Sequence, residues 1–273
     1  MSIPTLSDCH THSTCSPDGE STPREQLARA VELNLYAWTL TDHCEAQAWE
    51  EDYRARSENA RAAMAELAAL APAGLHFYRG IELGQATQNP EAARLVWEHP
   101  DYDFVIGSIH NLRKKEDFYY MKYEPEKMAD VHELLTKYWA EELEMIALGY
   151  FDSLGHLTYP LRYMETALGH PVDLTPHREA IDAIFKALIR TDKALEVNTS
   201  GLRQGLGKTF PDLPLVKRYR ELGGRLVTLG SDAHRTADLA SGIPEGMAML
   251  REAGFTEYHV YQKHTPAALP LAE

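Results

Sequence analysis

What most restricts this 273-residue chain is a repeated order of segments: a short apolar run, a polar turn, then a helical stripe. Only the element order repeats. No stretch of sequence recurs and none is of low complexity. Residues 35–40, 76–83, 103–109, 151–154, 194–198 and 225–229 read as strands, and the apolar residues 3–6 read as the approach to an earlier one. A helix opens at Thr22-Pro23-Arg24-Glu25, where Thr22 caps, Pro23 fits the first turn and Glu25 completes a capping box. Further helical stripes run over 48–71, 91–97, 126–148, 176–189 and 213–222, and a last helix precedes a strand-like run at 258–262. Three stretches break the rhythm: 111–125, 157–175 with Arg162, and 199–210 with Arg203. Strand–helix alternation predicts parallel strands covered by helices. One α/β barrel takes about 250 residues, so residues 1–273 are expected to form a single domain.

Nearly every strand ends in His, Asp or Glu. Asp8-Cys9-His10-Thr11-His12 follows the first, Thr41-Asp42-His43 the second and Glu82 the third. His110, Gly155-His156 and Gly230-Ser231-Asp232-Ala233-His234 end later ones. Residues two apart on an extended strand share a face, so His10 and His12 converge. Two buried neutral imidazoles need something to accept their lone pairs, and a metal ion does so. Alone, each such residue serves equally well in a hydrogen-bonded turn. Together they recur at the C-terminal ends of strands, where a barrel gathers its chemistry and an open sheet would spread it along an edge. The mixture of carboxylate and imidazole suits Zn, Mn or Fe.

The formal net charge is −14 and the pI near 5.4. Such a surface argues against nucleic acid or an anionic membrane as partner, whereas an anionic substrate stays compatible if bound cations reverse the local sign. Cys9, Cys15 and Cys44 are odd in number and lack framework spacing, so reduced thiols and a cytoplasmic location are expected. Cys9 alternates with His10 and should face away from the metal ligands. No signal segment and no apolar run of about 20 residues is evident.

These runs, spread from residue 7 to residue 234, resemble the PHP (polymerase and histidinol phosphatase) family. The resemblance implies a distorted (β/α)7 barrel, TIM-barrel-like, holding three divalent metal ions (Zn, Mn or Fe) at the C-terminal ends of the strands. It implies a first metal on His10, His12, Glu82 and Asp232. A second would share Glu82 and add His110 and His156, and a third would take Asp18, His43 and His234. Many members carry a histidine where Asp18 stands, and Glu20 is its nearby rival. Asp8 and Asp42 flank ligands and are expected to orient imidazoles or serve plain turn roles. His76, His99, His132, His170, His177, His259 and His264 fall outside the pattern and read as surface or locally bonded residues.

Two divalent ions about 3.5–4 Å apart can bridge a water, lower its pKa and neutralise charge on a phosphoryl group. The expected nucleophile is a hydroxide bridging the first two metals. His43, Asp18 or a metal-bound water would supply the leaving-group proton. Arg162 and Arg203 should flank the bowl, where guanidinium forks match phosphate. The run Glu196-Val197-Asn198-Thr199-Ser200-Gly201-Leu202-Arg203 resembles the histidinol-phosphatase branch. That likeness implies hydrolysis of L-histidinol phosphate to L-histidinol and phosphate in histidine biosynthesis. Glu196, Asn198 or the 111–125 loop with Phe118, Tyr119 and Tyr120 would receive the ammonium and imidazole of such a substrate. The partner is thus a small phosphate ester, with no nucleic acid and no membrane. Alternatives are small 3′-phosphorylated or cyclic nucleotides, a non-catalytic metal-stabilised module, or an amidohydrolase barrel. The last usually needs a bridging lysine, and no ligand-bearing strand end carries one.

Overall fold

The computed structural model describes residues 5–124 and 127–271. Ile3 and Pro4 of the expected lead-in, Pro125 of the long loop and Glu126 of the following helix lie outside them. The first strand, β1 (Ser7–Asp8), pairs in parallel with β2 (Ala37–Leu40) at Ser7↔Ala37 and Asp8↔Trp38. From β2 the parallel ladder passes to β4 (His76–Gly84), β5 (Phe104–Ser108), β6 (Ser153–Leu154), β7 (Ala194–Asn198) and β8 (Val227–Gly230). A short strand β3 (His43–Glu45) resumes the line of β2 after a break at Thr41–Asp42 and pairs with β4 at His43↔Glu82. The ring closes where the chain beyond β1 meets the chain beyond β8. Cys9 N–H donates to the Leu229 carbonyl (2.9 Å), Asp232 N–H to that of His10 (2.8 Å), and His12 N–H to that of Ala233 (2.8 Å). The expected barrel is therefore present, with eight parallel strand segments along seven lines.

The helices cover the outside. Helix α1 (Pro23–Glu32) begins with the expected capping box of Thr22 and Glu25. Helix α2 (Arg54–Leu70) starts later than expected, because residues 46–53 form a tight 3-10 turn and a wide π turn. Helix α3 (Pro90–Trp97) is capped by the Asn89 side chain, and α4 (Met128–Leu148) ends at Gly149 in a left-handed conformation (φ 76°). The expectation of an irregular 157–175 stretch is overturned in its first half by helix α5 (Tyr159–Leu168). Its buried Leu161, Met164 and Leu168 stand at i, i+3 and i+7. Helices α6 (Arg178–Arg190) and α8 (Leu213–Glu221) complete the wall with α9 (Ile243–Glu252). One further turn, α7 (Ser200–Arg203), lies in what read as a loop.

A hairpin of β9 (Glu257–Gln262) and β10 (Thr265–Pro270) plugs the N-terminal end of the barrel. Only its first strand had a sequence signal. The Tyr258 hydroxyl donates to the Thr5 carbonyl, and His264 Nδ1 lies 2.9 Å from Asp152 Oδ2, just ahead of β6. Lys263 N–H donates to Asp103 Oδ1 ahead of β5, and Tyr261 packs on Phe104. With that end sealed by side chains such as Trp38, Phe104 and Tyr258, the opposite end is left for polar groups.

Candidate metal centre

At the C-terminal ends of the strands the nine predicted ligands meet. His10 and His12 leave β1 on one face, with Nε2 atoms 3.0 Å apart. Glu82 Oε2 lies 3.4 Å from His10 Nε2 and 3.6 Å from His12 Nε2. Asp232 Oδ1 lies 3.8 and 3.3 Å from the same two nitrogens. Donor atoms at that mutual spacing surround a common point at metal–ligand distance. The other oxygen of Glu82 faces a second group: Oε1 lies 3.1 Å from His110 Nε2 and 2.8 Å from His156 Nε2, which are themselves 3.5 Å apart. At the rim, Asp18 Oδ2 lies 3.1 Å from His234 Nε2 and 3.6 Å from His43 Nε2. His43 Nδ1 also comes within 2.7 Å of Glu82 Oε2, so it faces both the rim and the centre. Glu20 offers His234 only its backbone N–H, donated to the His234 carbonyl, and among the described residues its carboxylate makes no ion pair.

Backbone geometry contributes to this convergence. His156 and Asp232 take positive φ (22° and 56°), a conformation L residues adopt rarely and usually under local constraint. Gly230 permits a close approach: a Cβ there would stand 2.4 Å from both Glu196 Oε1 and His10 Cβ.

The imidazoles are oriented from behind. Glu196 Oε1 sits 2.7 Å from His10 Nδ1, and its Oε2 accepts the His156 N–H at 2.7 Å. Glu45 Oε1 sits 2.9 Å from His110 Nδ1, and Ser16 Oγ 3.2 Å from His12 Nδ1. Asp42 acts one step back, accepting from the Ser16 hydroxyl (2.8 Å) and from Ser13 N–H (2.7 Å). Asp8 holds the seam of the barrel through the N–H groups of Ser231, Ala240 and His10. Such partners fix the tautomer and aim of a metal-binding imidazole.

The charges are poised for a cation. Burial alone would raise Glu82 and Asp232, but the imidazoles around them hold both carboxyls well below the ordinary range. Burial, reinforced by His234 and His43, holds His12 well below its usual pKa. Against its own burial, His43 is pushed up to about 10 by Glu82 and Asp18. The His12 ring packs against those of both His43 and His234, with centroids 4.2 Å from each. Among the described residues, buried Glu82 Oε2, His43 Nδ1, His156 Nδ1 and His234 Nε2 have close charged neighbours but no well-aligned hydrogen bond. Ionised carboxylates and unshared lone pairs in one buried cluster fit divalent metal better than protons. Three triads keep their donor atoms within 4.8 Å of one another: His10–His12–Glu82, His43–Glu82–His110 and His12–His43–His234.

A family model described as the PHP domain matches residues 8–200. The chain belongs to the PHP family. Asp232 and His234 lie beyond the matched segment, and the barrel seam brings them to the rest. The PHP chain is 29% identical over 255 residues to a protein named "Probable histidinol-phosphatase" from Thermotoga maritima, covering 91% of this chain and 92% of that one. It is 25% identical over 251 residues to a Lactococcus lactis protein named histidinol-phosphatase, covering 92% of each. A crystal structure of the Lactococcus lactis histidinol phosphate phosphatase, complexed with zinc, L-histidinol and phosphate, superposes with a TM-score of 0.77. That match covers 96% of this chain and 99% of the other at 25% identity.

Beside the candidate ligands of this PHP barrel opens a cavity of about 1220 Å³. Arg162 and Arg203 both line it, as expected, but from helices rather than loops. Arg162 stacks on Tyr163 at 5.1 Å and forms no ion pair among the described residues. Arg203 donates to the carbonyls of Ser231 and Asp232 and lies 3.5 Å from Asp238, so it braces the Asp232 turn. Glu196 and Asn198 do not reach the cavity wall. Glu196 is buried behind His10, and Asn198 donates to Glu196 and Asp232 while accepting from Ser200. Strand alternation turned both inward, but at a depth where His10, His156 and Asp232 face them in place of solvent. Phe118, read as a substrate contact, is an anchor buried against Tyr138, whereas Tyr119 and Tyr120 line the cavity. Three supports stand outside the sequence reading, Ser16 behind His12 among them. Glu45 carried a visible signal, standing two residues after His43 on one strand. Tyr159, 5.1 Å from the rings of both His110 and His156, carried none.

Proposed function

We propose that this PHP protein hydrolyses L-histidinol phosphate to L-histidinol and inorganic phosphate. In this reading His10, His12, Glu82 and Asp232 hold one divalent ion, Glu82, His110 and His156 a second, and Asp18, His43 and His234 a third. The observation that carries it is the placement of Glu82, whose two oxygens face separate imidazole groups. Ions held there would polarise phosphoryl oxygens and lower the pKa of water, the help that a slow phosphate-ester hydrolysis needs. The likeness to the Lactococcus lactis enzyme, solved with zinc, L-histidinol and phosphate, supports the substrate.

The remaining roles fall to the cavity wall. Arg162, without a carboxylate partner, binds the phosphate oxygens. Arg203 keeps guanidinium N–H groups for phosphate beyond those bound to the Ser231 and Asp232 carbonyls. Asp18 has a side chain 56% exposed at the rim, and its carboxylate, held ionised by His234 and His43, orients the water that protonates the leaving alkoxide. Glu196, Glu45 and Ser16 hold the imidazoles in place. The substrate is a small molecule, and among the described residues no helix is long and apolar enough to cross a membrane.

The test is phosphate release from L-histidinol phosphate, 3′-phosphorylated nucleotides and cyclic phosphodiesters, with protein reconstituted separately with Zn, Mn and Fe. We expect the first to be turned over with the highest kcat/KM. A preference for a nucleotide would overturn the substrate and leave the metal chemistry standing.

A further inference from the structure

The loop over residues 111–124 places one carboxylate on the cavity wall, between aromatic rings. Asp117 Oδ1 accepts from the Tyr159 hydroxyl (2.9 Å) and from Tyr119 N–H (2.7 Å). No hydrogen bond reaches its Oδ2 among the described residues, and Asp117 lines the cavity. Tyr159 spans the gap to the metal ligands, its ring 5.1 Å from those of His110 and His156. Asp117 therefore sits one tyrosine side chain from the second ligand group, within reach of a short ester bound there by its phosphate. The neighbouring residues Tyr119 and Tyr120 are 60% and 68% exposed, and the Tyr119 ring packs edge-on against Tyr163. A carboxylate flanked by open aromatic faces is a receptor for an organic cation.

We infer that Asp117 is the specificity-determining residue for the cationic end of the substrate, taking its ammonium or imidazolium on Oδ2. The inference rests on the function proposed above. Tyr159 is a positioning residue, because its hydroxyl fixes the Asp117 carboxylate while its ring packs on the ligands. A site with the buried metal ligands alone would hydrolyse any small phosphate monoester. Binding energy from this remote contact selects among them.

The test compares L-histidinol phosphate with p-nitrophenyl phosphate, which lacks a cation, on metal-reconstituted wild type, Asp117→Asn and Tyr159→Phe. Calorimetric binding of L-histidinol and metal content are measured alongside. We expect Asp117→Asn to lower the ratio of the two kcat/KM values about ten- to hundredfold, mostly through KM, and to weaken L-histidinol binding by a similar factor with metal retained. Tyr159→Phe should shift the ratio in the same direction by less. A wild type with no preference for L-histidinol phosphate overturns the proposed function and this inference together. A wild type with the preference, in which Asp117→Asn keeps it or slows both substrates equally, overturns this inference alone.

Discussion

At Glu196 one carboxylate serves two ligands, taking His10 Nδ1 on one oxygen and the His156 backbone on the other. Glutamine there would present an N–H to one of them and turn the His10 tautomer. We expect Glu196→Gln to weaken metal binding about 10- to 100-fold with the fold intact, measured by chelator competition beside circular dichroism. Glu142 shows the opposite environment. It is buried in α4 with neither oxygen hydrogen-bonded among the described residues, and burial pushes its carboxyl up to about 8 although nearby Tyr138 acts to lower it. The native state therefore keeps a proton that the unfolded chain releases near its ordinary value of 4.5. Stability should fall as pH rises through that window, by about 1.4 kcal/mol per unit, and level off above the native pKa. Glu142→Gln removes the slope. Its melting temperature should exceed wild type at pH 9 and converge with it near pH 4, and parallel curves would refute this account. The candidate ligands were legible because all but Asp18 stand at or just beyond a strand end with the right chemistry. The sequence did not separate Glu196 from a substrate contact, since alternation gives the face of a strand and says nothing of depth.

Among the elements, what was legible followed periodicity. The capping box of α1 and the strands from β4 to β8 stand near their expected places because their apolar spacing is regular. Helix α5 was hidden by Tyr159-Pro160 at its start and polar residues beyond, although Leu161, Met164 and Leu168 carry its stripe. Strand β10, rich in Pro and Ala, has no β-propensity of its own and exists because β9 templates it. The 111–124 segment keeps its place without a helix or strand. Phe118 is buried under Tyr138, its N–H donates to the His110 carbonyl (3.0 Å), and the Tyr123 hydroxyl donates to the Phe118 carbonyl (3.0 Å). Phe118→Ala should cost about 3–5 kcal/mol. It should also raise KM for L-histidinol phosphate more than it lowers kcat, because the wall that carries Asp117 loses its anchor. Denaturant midpoints and steady-state kinetics separate the two effects.

Over the whole molecule, the sequence implied the barrel because strand–helix alternation and strand-end ligands agree with one another. Of the plug at the opposite end only β9 left a pattern, since β10 has no strand signal of its own. Binding of cations by the folded chain alone ties stability to their concentration. We expect a chelator to lower the melting temperature and added zinc to restore it in a concentration-dependent way. His10→Ala should abolish that response together with turnover. The seam gives the dependence a location. His10 and His12 belong to the first strand line and Asp232 to the last, and their backbones are the ones that hydrogen-bond across the join. A cation held between those side chains would rivet the first strand line of the barrel to the last. Starved of metal, the molecule should loosen there before anywhere else, and amide exchange at Asp232 should quicken while the strands opposite stay protected.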